Sequence, residues 1–155
     1  MNWDALGAIS EAMGAAGVIA SLIYLATQIR GQNRESRIAA SREVTNAFRE
    51  SVSTMQDAQR ANVVWKGMQD LDSLSPPEKL QINAMAQQYL RVWEQAHYQH
   101  TEGRLEPESW EAINNQFMDF MALEVISSVW KIRRNAFRKS FREYVESLDV
   151  GDYRL

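Results

Sequence analysis

The chain contains no cysteine. Disulfide staples, thiolate metal sites and cysteine nucleophiles are therefore excluded, and the composition is neutral about redox compartment. Proline occurs three times and glycine seven times in 155 residues, so few positions interrupt a helix. No stretch alternates apolar and polar residues as a half-buried strand does, and no Asn-Gly or Asp-Gly pair marks a hairpin. Glycine-rich phosphate loops are missing, as is the G-x-S-x-G of a serine nucleophile. Charge of one sign is not in excess: 17 basic against 20 acidic residues leave a net −3, which does not draw the chain to nucleic acid. With its carboxylates spread along polar faces, the sequence reads as a non-enzyme without a cofactor.

Charge is absent altogether from one stretch. Ala12 to Ile29 is an uncharged run of 18 residues, entered after Glu11 and left at Arg30, with arginines following at 34, 37 and 42. At 1.5 Å per residue a helix of that length reaches about 27 Å, close to the hydrocarbon thickness of a bilayer. The expectation is a single membrane span. The competing reading, a buried helix of a soluble domain, fits less well because such helices usually carry a charge every few residues. A cleaved signal peptide fits less well still, because Asp4 and Glu11 precede the run and the arginines follow it. The same asymmetry orients the span with its C-terminal side in the cytoplasm. Small residues recur four apart at Ser10/Gly14 and Gly17/Ser21, which lets two helix backbones approach closely and predicts self-association or a membrane-protein partner.

Beyond Arg30, residues 31–58 form an amphipathic juxtamembrane helix with Ile38, Ser41, Val44, Phe48, Val52 and Met55 on one face and a bend expected at Gly31. Asp57 can cap a short helix holding Val63, Val64 and Trp65 and ending at Gly67. Ser75-Pro76-Pro77-Glu78 is a capping box with proline in the first turn, so a helix starts there and stops at Gly103. Its expected inner face carries Leu80, Met85, Tyr89, Trp93 and Ala96. Pro107 opens another helix, a further one covers residues 125–135, and a short one carries Phe141, Tyr144, Val145 and Leu148. The expected architecture is all-α: a transmembrane anchor over residues 1–30, the amphipathic helix, a small irregular helical bundle over 59–148, and a tail over 149–155. Its core is expected to hold Trp65, Trp93, Trp110, Phe117 and Trp130.

The opening NWDALGAISEAMG, the run ending LIYLATQIR, and LDSLSPPEKL together resemble a group of small bacterial proteins. These begin with an Asn-Trp-Asp motif, carry one N-terminal membrane helix and continue as a helical cytoplasmic domain. The resemblance implies a place in the bacterial inner membrane; it transfers no activity and no functional residue.

Two constellations carry chemistry. Glu94-x-x-His97 places a carboxylate and an imidazole on one helical face, with His100 a turn further. They form a weak candidate for a mononuclear metal site, against the simpler reading of a polar stripe; a di-iron centre is ruled out because His97 and His100 are the only histidines. The second is WKIRRNAFRKSFREY, where Lys131, Arg133, Arg134, Arg138, Lys139 and Arg142 crowd into twelve residues. This patch reads as a surface for anionic lipid, as a site for a small nucleotide-like anion that would make the protein a ligand-gated membrane effector or sensor, or as a solvated face paired with glutamates. The leading expectation is a membrane-anchored accessory or scaffold protein.

Overall fold

The computed structural model describes residues 3–148, all of whose regular structure is helical. Helix α1 spans Trp3–Ser53, α2 Ala58–Gln69, α3 Pro76–Thr101, α4 Pro107–Met121, α5 Glu124–Arg133 and α6 Lys139–Ser147. Short 3-10 turns at Thr54–Gln56, Leu71–Ser73 and Arg134–Ala136 join some of them. The tail that was expected after residue 148 lies outside the described residues.

The chain divides into two compact units, Met1–Ile38 and Ala39–Leu155. Among the described residues of the first, α1 is the sole element, and it continues through Gly31 without a break where a bend was expected.

The second unit is built from its caps inward. The Asp57 carboxylate accepts from the Arg60 backbone N–H at 2.9 Å and starts α2. At α3 the capping box forms, and the Ser75 backbone N–H donates to Glu78 Oε2 at 2.6 Å. Lys66 on α2 donates to the same carboxylate at 3.0 Å, so one glutamate starts α3 and ties it to α2. These bonds hold the Glu78 carboxyl down from an ordinary 4.5 to about 2, first through Ser75 and then through Lys66. Gly103 ends the run after α3 with a φ of +67°, a conformation glycine adopts at no steric cost, while the Arg104 N–H closes on the Gln99 carbonyl at 2.8 Å.

Helix α3 lies at the centre and packs against α2, α4, α5 and α6. Its Ile82, Ala86, Tyr89, Leu90, Trp93 and Ala96 are buried, and Phe117, Met121, Val125, Ile126, Trp130, Phe141 and Val145 close over them. The Trp93 ring stacks on Phe117 at 5.5 Å and meets Phe141 edge-on at 5.4 Å. From α1, Ala40 and Val44 are buried, and Phe48 meets Tyr89 and Phe117 edge-on.

Several expected faces are rotated. Trp65 was expected in the core and is 55% exposed, because Val63, Val64 and Trp65 fan across the helix and Val63 takes the inward position. Leu80 is exposed for the same reason, standing opposite buried Ile82. In α1 the buried stripe runs through Ala40, Val44 and Ser51, while Ile38 faces outward. Gly67 does not end α2, which continues to Gln69. A Cβ there would stand 3.2 Å from Leu74 Cδ1 and 3.4 Å from Val125 Cγ2, so this glycine serves close approach.

Candidate functional site: an apolar helix and a basic edge

Within the first unit, Val18, Ile19, Leu22, Ile23 and Leu25 are 53–61% exposed and none of the helix's most apolar stretch is buried. The helix is long and apolar enough to cross a membrane. Its polar side chains turn inward on the helix itself. Ser21 Oγ donates to the Gly17 carbonyl at 2.8 Å, Thr27 Oγ1 to the Tyr24 carbonyl at 2.7 Å, and Gln28 Nε2 to the Tyr24 hydroxyl at 2.7 Å. Those four residues are all the polar side chains in the uncharged run. Each thereby has a partner that does not depend on water, which is what hydrocarbon requires. Of the expected close-packing positions, Gly14 and Gly17 have open space where a Cβ would stand, and Ser21 is exposed with its hydroxyl engaged. Ser10 lies in α1; its side chain is outside the described ones.

In the second unit, Glu94 is buried and its partners are not those of a metal ligand. Oε1 accepts from the Arg138 backbone N–H at 2.7 Å, and Oε2 accepts from Arg91 Nη1 at 2.8 Å. The carboxylate thus sits at the start of α6, where a helix favours negative charge. His97 is stacked on Tyr144 at 4.6 Å and His100 on Trp110 at 4.8 Å. Burial pushes the His97 imidazole below its ordinary pKa, neighbouring His100 adds to this, and Glu94 opposes it. Among the described residues no group of three or more His, Asp or Glu stands close enough to hold a metal. Behind these rings, Asn114 Oδ1 accepts both from Trp93 Nε1 at 3.0 Å and from the Tyr144 hydroxyl at 2.7 Å, joining α3, α4 and α6. Burial raises the Tyr144 pKa, partly offset by that bond.

The six expected cations share one edge but not one environment. Arg134 pairs with Glu146 at 3.0 Å and Lys139 with Glu143 at 3.6 Å. Arg142 donates to Asn135 Oδ1 at 2.8 Å, and Arg138 lies over the Tyr98 ring at 4.3 Å. Lys131 and Arg133 are exposed and make no ion pair or side-chain hydrogen bond among the described residues. A shallow hollow of about 260 Å³ opens between Arg134, Lys139, Arg142, Glu143 and Glu146. Its cations are thus partly answered by carboxylates on its own rim. The role of Glu94 and the bridging by Asn114 were not among the sequence expectations. Glu94 reaches Arg138, and Asn114 reaches Trp93 and Tyr144, all more than 20 residues away, for which a single chain's local pattern gives no signal.

No protein-family model, curated protein or solved structure matches the chain.

Proposed function

We propose that this protein is a membrane-anchored helical scaffold or accessory subunit, without catalytic activity of its own. The run Ala12 to Ile29 crosses the inner membrane of a bacterium once, and the helical bundle that follows it stands in the cytoplasm. The observation that carries the reading is the uncharged helix whose described apolar side chains are exposed and whose four polar side chains each take part in a hydrogen bond within the helix itself. Orientation follows from Arg30, Arg34, Arg37 and Arg42 on one side of the run and Asp4 and Glu11 on the other. In a bilayer, lipid satisfies the leucines and isoleucines equally well from any side. The open surface at Gly14 and Gly17 is where a second helix gains most from contact, which supports self-association or a membrane-protein partner.

The alternative, a sensor gated by a small nucleotide-like anion, draws less support. The hollow between Arg134, Lys139 and Arg142 also carries Glu143 and Glu146, which oppose a single phosphate.

Extraction in mild detergent followed by mass measurement of the native complex tests the proposal. The expected result is a dimer or higher species, or a complex with a membrane protein, that falls to monomer in Gly17→Ile. A strictly monomeric species with nothing bound, for both proteins, would overturn it.

A further inference from the structure

We propose that the edge formed by the end of α5, the Arg134–Ala136 turn and α6 docks on an anionic lipid surface, with Ile132 entering the headgroup layer between Lys131 and Arg133. The inference rests on the anchored reading above and adds a second point of attachment, made by the helical unit itself.

Three observations lead there. Residues 131 to 136 are all exposed, so the edge is free to meet a surface. Positive charge is segregated onto it: from 131 to 146 there are six cations and two carboxylates, in a chain whose net charge is −3. Within that edge stands Ile132, 71% exposed, between Lys131 and Arg133, which make no ion pair or side-chain hydrogen bond among the described residues. An apolar side chain flanked by long cationic ones suits a headgroup boundary. The isoleucine gains by leaving water, and the Lys131 and Arg133 stems lie along lipid while their charges stay among the phosphates.

The geometry separates this occupant from a soluble anion. A free phosphate or nucleotide needs donors that converge, whereas here the unpaired cations stand apart from the hollow and the hollow's own cations face Glu143 and Glu146. A lipid layer offers many phosphates in one plane, so cations spread over two helices can each find one. It also rewards Ile132, which a soluble anion does not. Each cation close to an anionic leaflet contributes about fivefold, so Lys131 and Arg133 together contribute about 30-fold to the ratio of docked to undocked states.

The lack of native cysteine makes a direct test simple. The full chain carrying Ile132→Cys, labelled with an environment-sensitive NBD dye, is placed in nanodiscs of phosphatidylcholine alone or with 30% phosphatidylglycerol. The expected result is a blue shift and brightening of the dye with phosphatidylglycerol only, lost in 0.5 M salt and in Lys131→Glu/Arg133→Glu, while the chain still elutes with the discs. Emission that does not depend on phosphatidylglycerol overturns the docking and leaves the span standing. A shift produced in phosphatidylcholine discs by added inorganic phosphate or ATP overturns it in favour of a soluble anion. If the chain elutes apart from the discs, the span has failed. Vesicles of the same two compositions are then added to the labelled chain: a phosphatidylglycerol-dependent shift sustains the docking, and its absence overturns it.

Discussion

His97 is the side chain whose surroundings make the clearest solution prediction. Its ring is buried against Tyr144, Phe141 and Trp110, with Glu94 and His100 as its charged or titratable neighbours on α3. Burial lowers its pKa, so the folded chain gives up this proton at a lower pH than the unfolded chain, which titrates near 6.5. Between those two values the unfolded state binds more protons. Stability contributed here is therefore complete above 6.5 and is lost as pH falls toward the folded value. The thermal midpoint of the chain in detergent should fall between pH 7.5 and 5, and His97→Gln should flatten that limb. Glu78 acts in a separate window. Its carboxyl is held at about 2 against an ordinary 4.5, so its contribution is present above 4.5 and fades below it. A His97→Gln protein with the same loss between pH 7.5 and 5 as the parent would show that the imidazole is not the group responsible.

Helix α6 has nine residues, too few to persist alone, and is held in place from α3. Glu94 reaches the Arg138 N–H at its start while the Arg91 guanidinium lies over Phe137 at 4.4 Å and donates to the Ala136 carbonyl at 3.0 Å. Removing the carboxylate leaves the Arg138 N–H without its acceptor and Arg91 without its ion pair. Glu94→Ala should cost about 2 kcal/mol, and amide exchange should rise first in 137–147. A metal ligand would behave differently: added zinc or iron would stabilise the parent and not the variant, and neither should change in the metal's presence. This element also shows what local pattern does and does not convey. Helix starts and stops at Asp57, Ser75, Glu78 and Gly103 were legible because a cap is satisfied within a few residues of itself, and the start at Pro107 because proline suits the first turn of a helix. Which stripe faces inward was less so. Where Val63, Val64 and Trp65 stand together, or Leu80 near Ile82, the sequence offers two apolar faces and only the neighbouring helices choose between them. Gly67 has the same explanation, since its role is set by Leu74 and Val125 and not by the helix it belongs to.

Across the whole molecule the two units treat apolar surface in opposite ways. Ala39–Leu155 holds a core of large side chains buried against each other, with Trp93, Tyr89, Phe117 and Phe141 at 2% exposure or less. In Met1–Ile38 the described leucines and isoleucines are exposed, and those from Ile19 to Ile29 lie in the stretch that the sequence marks by its absence of charge. That contrast separates a membrane helix from the core helix of a soluble protein by its response to one charge. In a core helix, an aspartate at Leu22 would break packing and lower the folding stability of the whole chain. In a span of moderate hydrophobicity, diluted by alanine and glycine, it would oppose insertion by about 3 kcal/mol and leave the helical unit untouched. Leu22→Asp should therefore move the chain from the carbonate-resistant membrane fraction to the soluble or peripheral one. Its aromatic near-ultraviolet circular dichroism, which reports the packed rings around Trp93, should stay as in the parent. A protein that lost both the membrane and the aromatic signal would place residues 13–29 inside a folded core.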